Sequence, residues 1–244
     1  DMSFQIALSK MFDVVNGIGG PCGQRENLDK TDIYEFGVYR GDSMSYMKNV
    51  FMQSNWTPKT IFGFDSFDGF PEDTEDIVSN SMWPKGAMNM GDFFKNKTPE
   101  EIAEEIKHSI KDDTFNLEFI VGFYDDVLID DVVETQHMKS ALFVNFDCDQ
   151  YLSTYQALDF MFRNNLIVKD TIIRYDDWNS GLIYNNDEKI DIKSPFLADT
   201  WIEGESGQSK AHKEILEKYG VYCTRIYQDS PRFNWKGKSV FVVE

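Results

Sequence analysis

Two acidic pairs carry most of the chemistry this sequence can do. Asp147 and Asp149 flank Cys148 at the end of the apolar run 141–144, in "SALFVNFDCDQYLST". Asp176 and Asp177 end a second apolar run, in "KDTIIRYDDW". Carboxylates that terminate buried strands cannot all stay ionised in a dry site without a counter-charge. If the two strands are neighbours, these acids meet at one edge of a sheet. Hard oxygen donors suit Mg²⁺, Ca²⁺ or Mn²⁺ rather than zinc, and the chain has only three histidines. The competing reading is helix capping, which applies best to Asp149, just ahead of a helical segment. Capping alone would not gather four acids at two strand ends. Cys148, set in a negative field, is expected to have a raised thiol pKa and to act as a small buried filler.

The elements around these residues alternate. "DIYEFG", "TIFGFD", "LEFIVG", "SALFVNFD" and "KDTIIRYDDW" read as strands, with helical spacing in "SMSYMKNVFMQ", "TPEEIAEEIKHSI", "STYQALDFMFRNN" and "SKAHKEILEKYG". "DDVLIDDVVE" reads as a short helix, and "VYCTRIYQ" and "KSVFVVE" as a closing antiparallel pair. Strand–helix alternation implies a mostly parallel sheet covered on both faces. Ligands of such sheets sit at the carboxyl ends of the strands. Residues 1–30 are expected to form a helical cap, and 66–97 and 179–205 are read as long, lid-like loops on a single domain spanning 1–244. The glycines 17–20 follow a helix, so they read as a helix stop rather than a phosphate cradle.

The first strand turn, "EFGVYRGDS", lacks the GxGxxG and GK[ST] spacings that bring a pyrophosphate to a helix N-terminus. A glycine directly after the strand still lets a ligand approach the backbone. Asp65, at the second strand end, is placed to accept hydrogen bonds from ribose hydroxyls. A nucleoside without polyphosphate, carrying a cation that an acidic site favours, meets these conditions. S-adenosylmethionine is such a ligand. The plainer alternative is that Glu35 and Asp65 are solvated acids.

Charge and composition narrow the partners. With 24 basic and 42 acidic residues the formal charge is −18, a field that repels nucleic acid. No apolar run approaches membrane-spanning length, and no basic-then-apolar leader opens the chain, so no membrane partner is expected. Asp1 is an unusual first residue and suggests a piece of a longer chain. Three widely spaced cysteines (Cys22, Cys148, Cys223) argue against a disulfide framework and for a cytoplasmic setting. The apolar N-terminal helix offers a face for a homo-oligomer.

In order and near-constant spacing, "YEFGVYRGDS", "GFDSFDGFPE", "GDFFKNKTPEEI", "FIVGFYDDVL", "VNFDCDQYLSTYQAL" and "IIRYDDW" resemble the macrocin O-methyltransferase (TylF-type) family. The resemblance covers roughly residues 33–178. It implies a class I methyltransferase fold, Rossmann-like, with seven strands and an antiparallel last strand. It also implies Mg²⁺-dependent transfer of a methyl group from S-adenosylmethionine to a sugar hydroxyl of a glycosylated small molecule or polysaccharide. Carried over by position, Asp147, Asp176 and Asp177 match metal ligands and Asp149 a general base. Glu35 and Gly37 match the first cofactor motif, Asp65 and Ser66 the ribose contacts, and Asp92, Gly122 and Phe123 the adenine end. The chain departs from the family in having Cys148 between the acids, Arg174-Tyr175 before the acidic pair, and Phe123 where Trp is common. A catechol-type acceptor, a metal-dependent hydrolase and a silent nucleoside-binding module are the alternatives. His212 falls on the acceptor side of the resemblance but has no partner visible in the sequence. Trp178, Tyr184 and Trp201 are candidates for an acceptor wall, with core packing as the other reading.

Overall fold

The computed structural model describes residues 1–16, 31–54, 56–110, 113–178, 203–229 and 237–244. The expected helix stop at 17–20, Cys22, and most of the 179–205 segment with Tyr184 and Trp201 lie outside the described residues.

Seven strands form one sheet in the order β3-β2-β1-β4-β5-β7-β6. β1 (Asp32–Phe36), β2 (Thr60–Asp65), β3 (Asn116–Val121), β4 (Ala141–Phe146) and β5 (Ile172–Tyr175) run parallel. β7 (Ser239–Val243) inserts antiparallel between β5 and β6 (Cys223–Gln228). The switch in strand order falls between β1 and β4. This is the class I methyltransferase arrangement that the resemblance implied.

The central strands are buried on both faces, which is why β1, β4 and β5 read as near-continuous apolar runs. Their last two residues show the period of two that divides the faces. On one face Phe64, Phe36, Phe146 and Tyr175 form a stacked row, with ring centroids 4.6, 5.3 and 5.2 Å apart in succession. Aromatic contacts of this kind are worth about 0.5–1.5 kcal/mol each beyond the area they bury. On the other face the preceding residues, Glu35, Asn145 and Arg174, occupy one register row. Arg174 donates to Asn145 Oδ1 (2.6 Å) and to Ser3 Oγ (2.9 Å), and its guanidinium lies over Phe4. That bonding seats helix α1 (Met2–Val15) across β4, β5 and β7. The apolar face of α1 (Phe4, Ala7, Leu8, Met11) is thereby buried in its own domain, so the face expected to serve an oligomer is already covered.

The helices follow local signals. α2 (Asp42–Met52) follows the β1 turn, and α4 (Pro99–Ile110) starts in a capping box. There Thr98 Oγ1 accepts from Glu101 N and Glu101 Oε2 accepts from Thr98 N. α5 (Tyr124–Val127) and α6 (Asp130–Thr135) divide what the sequence suggested was one helix. α7 (Tyr151–Arg163) and α8 (Gly207–Tyr219) pack together, and α8 stops at Gly220 in the left-handed region, φ 64°.

Residues 66–97 are less loop-like than the sequence indicates. They contain α3 (Ile77–Met82) and a 3₁₀ turn, Met90–Asp92. Elements this short show no periodicity by which to recognise them. The segment is also tied down. Asp73 Oδ2 and Ser79 Oγ accept from Leu152 N and Tyr151 N, capping α7 from outside. Gln150 Nε2 donates to Pro71 O and Trp83 O. Asp76 caps α3 through Val78 N and Ser79 N, and also accepts from Gly207 N and Ser206 Oγ at the start of α8. Since Asp76 serves two helices at once, Asp76→Ala is expected to cost about 2–3 kcal/mol in denaturant unfolding. A loss within experimental error would show that the segment is held mainly by its other contacts.

Candidate functional site

The chain turns that follow the strands continue the sheet's hydrogen bonding by one residue. Gly37 N donates to Phe64 O (2.9 Å), Asp147 N to Phe36 O (2.8 Å) and Asp176 N to Phe146 O (3.0 Å). The aromatic row thus forms a floor, and the next layer above it carries Gly37, Asp65, Asp147 and Asp176. Gly37 has φ +90°, and a Cβ there would sit 2.0 Å from the carbonyl oxygen of Asp147. Only glycine lets the β1 turn pass so close to β4.

A cavity of about 230 Å³ opens above these turns. Of the residues singled out in the sequence, Gly37, Asp65, Ser66, Gly122, Phe123, Asp147 and Asp149 line it. Glu35, Asp92, Asp176 and Asp177 do not appear on its wall. Glu35 lies below the floor, fully buried and hydrogen-bonded by Ser43 Oγ. Asp92 sits exposed in the 3₁₀ turn. Asp65 is held by the backbone: Oδ2 accepts from Val38 N and Tyr39 N (both 2.8 Å) and Oδ1 from Phe67 N (2.7 Å). It therefore shapes the β1 turn, with lone pairs remaining for a ligand.

The acids sort into two settings. Oxygens of Asp147, Asp149 and Asp177 lie within 4.8 Å of one another. Asp176 is instead ion-paired with Arg174 and with Lys238 Nζ, at 2.6 Å for the latter. Burial would raise the Asp176 pKa, but those two cations outweigh it and hold the carboxyl below its usual range. Asp147 is pushed well above the usual range, first by burial and then by the Asp176 charge, with Arg174 opposing. Gln208 on α8 braces Asp177 of the first group: its Oε1 accepts from Asp177 N and its Nε2 donates to Phe146 O. Asp149 has φ 58°, a left-handed conformation that Asp tolerates better than most residues. It is not the cap of α7, because Gln150 holds that position and Asp73 and Ser79 supply the bonds. Three hard oxygen donors this close, partly enclosed, fit a divalent ion. The glycine turn and the apolar walls from Phe70, Trp83, Met88 and Phe123 fit a nucleoside.

Other weighed residues fall outside the cavity. His212 bonds Tyr175 Oη through Nδ1 (2.8 Å) and packs among Tyr175, Trp178 and Phe241. Burial lowers its pKa to about 3, so it stays neutral as a core residue. Trp178 belongs to the same aromatic cluster. Cys148 is buried, with its thiol pKa raised first by burial and then by Asp149 and Asp147. Sequence reasoning missed Arg40, Phe70, Trp83, Ser153 and Gln156 as cavity residues. Arg40 stood inside the quoted first turn. Ser153 and Gln156, three apart on α7, stood one turn and two turns past Asp149.

A family model described as Macrocin-O-methyltransferase (TylF) matches residues 25–181. No curated protein matches significantly. Among solved structures, the O-methyltransferase NovP aligns with a TM-score of 0.61 at 16% identity, over 98% of this chain and 78% of that one. CalS11, described as a calicheamicin methyltransferase, aligns with a TM-score of 0.56 at 16% identity, over 98% of this chain and 78% of its own. At these identities the likeness establishes the fold.

Glu35 gives a pH signature. Burial pushes its pKa from 4.5 up to about 8, so between those values the folded chain holds a proton that the unfolded chain has lost. Stability on this account falls as pH rises across that window. Glu35→Gln removes the term. The variant should gain on wild type progressively above pH 4.5, reaching a few kcal/mol near pH 8, on the order implied by 1.4 kcal/mol per unit. A stability difference independent of pH in chemical denaturation would contradict the buried neutral acid.

Proposed function

The chain belongs to the macrocin O-methyltransferase family and is an S-adenosylmethionine-dependent O-methyltransferase, and we propose that it methylates a sugar hydroxyl of a glycosylated small molecule with the help of a divalent metal ion. The observation that carries this reading is the clustering of Asp147, Asp149 and Asp177, the first two of which line the cavity. CalS11, the calicheamicin methyltransferase of the same fold, is described as a TDP-rhamnose 3'-O-methyltransferase, which supports a sugar acceptor.

Asp147 and Asp177 would hold the ion, with Asp176 beside them kept ionised by Arg174 and Lys238. A divalent ion held there would supply Lewis-acid polarisation of the acceptor hydroxyl and lower its pKa. An Asp carboxylate by itself is too weak a base for an alcohol, so that acidification is required. Asp149 takes the hydroxyl proton on its carboxylate. Gly37, Ser66, Gly122 and Phe123 receive the methyl donor, with Asp65 at the ribose. Asp92, exposed and off the cavity wall, contributes at most to the rim. Residues 66–97 roof the acceptor side through Phe70 and Trp83 and exclude water, which strengthens the local electrostatics. The transfer itself is governed by placement of the acceptor oxygen in line with the methyl group. A cytoplasmic setting accords with the free thiols of Cys148 and Cys223, and no helix among the described residues is long and apolar enough to cross a membrane.

Two measurements test the reading. Excess EDTA should abolish methyl transfer to a panel of nucleotide-linked and antibiotic-linked sugars, and added Mg²⁺ should restore it; turnover indifferent to EDTA rejects the metal. Asp149→Asn should lower kcat by roughly 10²- to 10⁴-fold while S-adenosylhomocysteine binds as before. A variant with normal kcat would remove Asp149 from proton transfer.

A further inference from the structure

The register of β5 against β7 brings a second cation to the acidic pair. It matches Arg174 with Val240 and Tyr175 with Ser239, so the next antiparallel step sets Lys238 opposite Asp176. Lys238 Nζ lies 2.6 Å from Asp176 Oδ1, and Arg174 Nη2 pairs with the same oxygen. Both cations also reach Asp1 Oδ2, at 2.6 Å for Lys238 and 3.0 Å for Arg174. Asp1 is itself fixed, because its Oδ1 caps α1 through Ser3 N and Phe4 N. Two cations and two anions thus close a neutral box. Arg174 is fully buried and is pinned on its other arms, with Nη1 donating to Asn145 Oδ1 and Nε to Ser3 Oγ. Among the described residues, the close group of carboxylate oxygens comprises Asp147, Asp149 and Asp177 and leaves Asp176 out.

We infer that Arg174 and Lys238 are positioning residues of the cation site: by holding Asp176 they keep its carboxylate off the ion, which is left to Asp147 and Asp177, with Asp149 free for the proton. The inference rests on the divalent-ion reading of that site. The family resemblance matches Asp176 to a metal ligand, but Arg174 is one of the positions at which this chain departs from the family, and it bonds that very carboxylate. The number of charged ligands sets affinity at hard-ion sites, and Mg²⁺ is commonly held by one or two carboxylates with its other positions left to water or substrate. A further free carboxylate would bind the ion more tightly and take a position that acceptor oxygens need. Positive charge fixed beside the site acts in the same direction, weakening its hold on a cation. Arg174 and Lys238 thereby set both the affinity of the site and its openness to the acceptor.

The test titrates the full chain with Mn²⁺ and reads the free ion by electron paramagnetic resonance, independently of turnover. Lys238→Met should tighten Mn²⁺ roughly 10-fold, the size of one positive charge removed near a divalent ion. Lys238→Arg keeps the charge and should bind as the unsubstituted chain does. Lys238→Met combined with Asp176→Asn removes one charge of each sign and should return the affinity to within about 3-fold of the unsubstituted chain. A loss of roughly 100-fold or more in that double variant would make Asp176 a ligand and overturn the assignment. So would a Lys238→Met chain that melts at a lower temperature but binds Mn²⁺ no more tightly, since the ion pair would then be structural only. Lys238 is half-buried and Arg174 stays in place in every variant, so the fold should hold, and retained S-adenosylhomocysteine binding reports that it does. Failure of the unsubstituted chain to bind Mn²⁺ would instead overturn the divalent-ion reading, which separates the two failures.

Discussion

Mutual repulsion among carboxylates at the ends of β4 and β5 is the constraint on which this structure turns. Asp147, Asp149, Asp176 and Asp177 converge where the sheet is covered on both faces, so water screens them poorly. The protein answers part of that charge itself. Arg174, buried beneath α1, and Lys238 take Asp176. The other three acids are left grouped within 4.8 Å of one another beside the cavity, with Asp147 driven toward its neutral form. A bound cation would reverse that shift and lower the electrostatic cost of holding the strands in this register.

The supporting layers are arranged by the two-residue period of the strands. Each of β1, β4 and β5 ends with a polar residue followed by an aromatic one: Glu35-Phe36, Asn145-Phe146, Arg174-Tyr175. The aromatic residues stack into the floor below the cavity. The polar residues lie on the opposite face, where Arg174 reaches both Ser3 of α1 and Asp176. One row therefore fixes the height of the site and the other its charge. From above, Asp73, Ser79 and Asp76 bind the 66–97 segment to the starts of α7 and α8. The roof of the site is consequently part of the folded core of contacts, with Gln150 as an anchor beside Asp149.

Much of this was legible in the sequence because strand patterning and strand-end acids are local signals. The five parallel strands, the antiparallel closing pair and the gathering of acids at β4 and β5 all read directly. The sequence did not show how the acids divide. Asp176 and Asp177 are adjacent, and nothing in their spacing tells which one Arg174 and Lys238 will hold; that depends on register across β5 and β7. Likewise, the competing cap reading of Asp149 rested on its position before α7, but Asp73 and Ser79 from a distant segment do that work. α3 was too short to show a period. Arg40 was overlooked since a single arginine in a turn gives no signal until a cavity forms around it.

The most direct test of the account is the diffraction of crystals grown with S-adenosylhomocysteine and Mn²⁺. The account predicts an anomalous peak at the carboxyl ends of β4 and β5, within coordination reach of oxygens of Asp147 and Asp177. The sulfur of the homocysteine should lie toward the metal. A peak elsewhere, or clear cofactor density with no metal beside these acids, would contradict it.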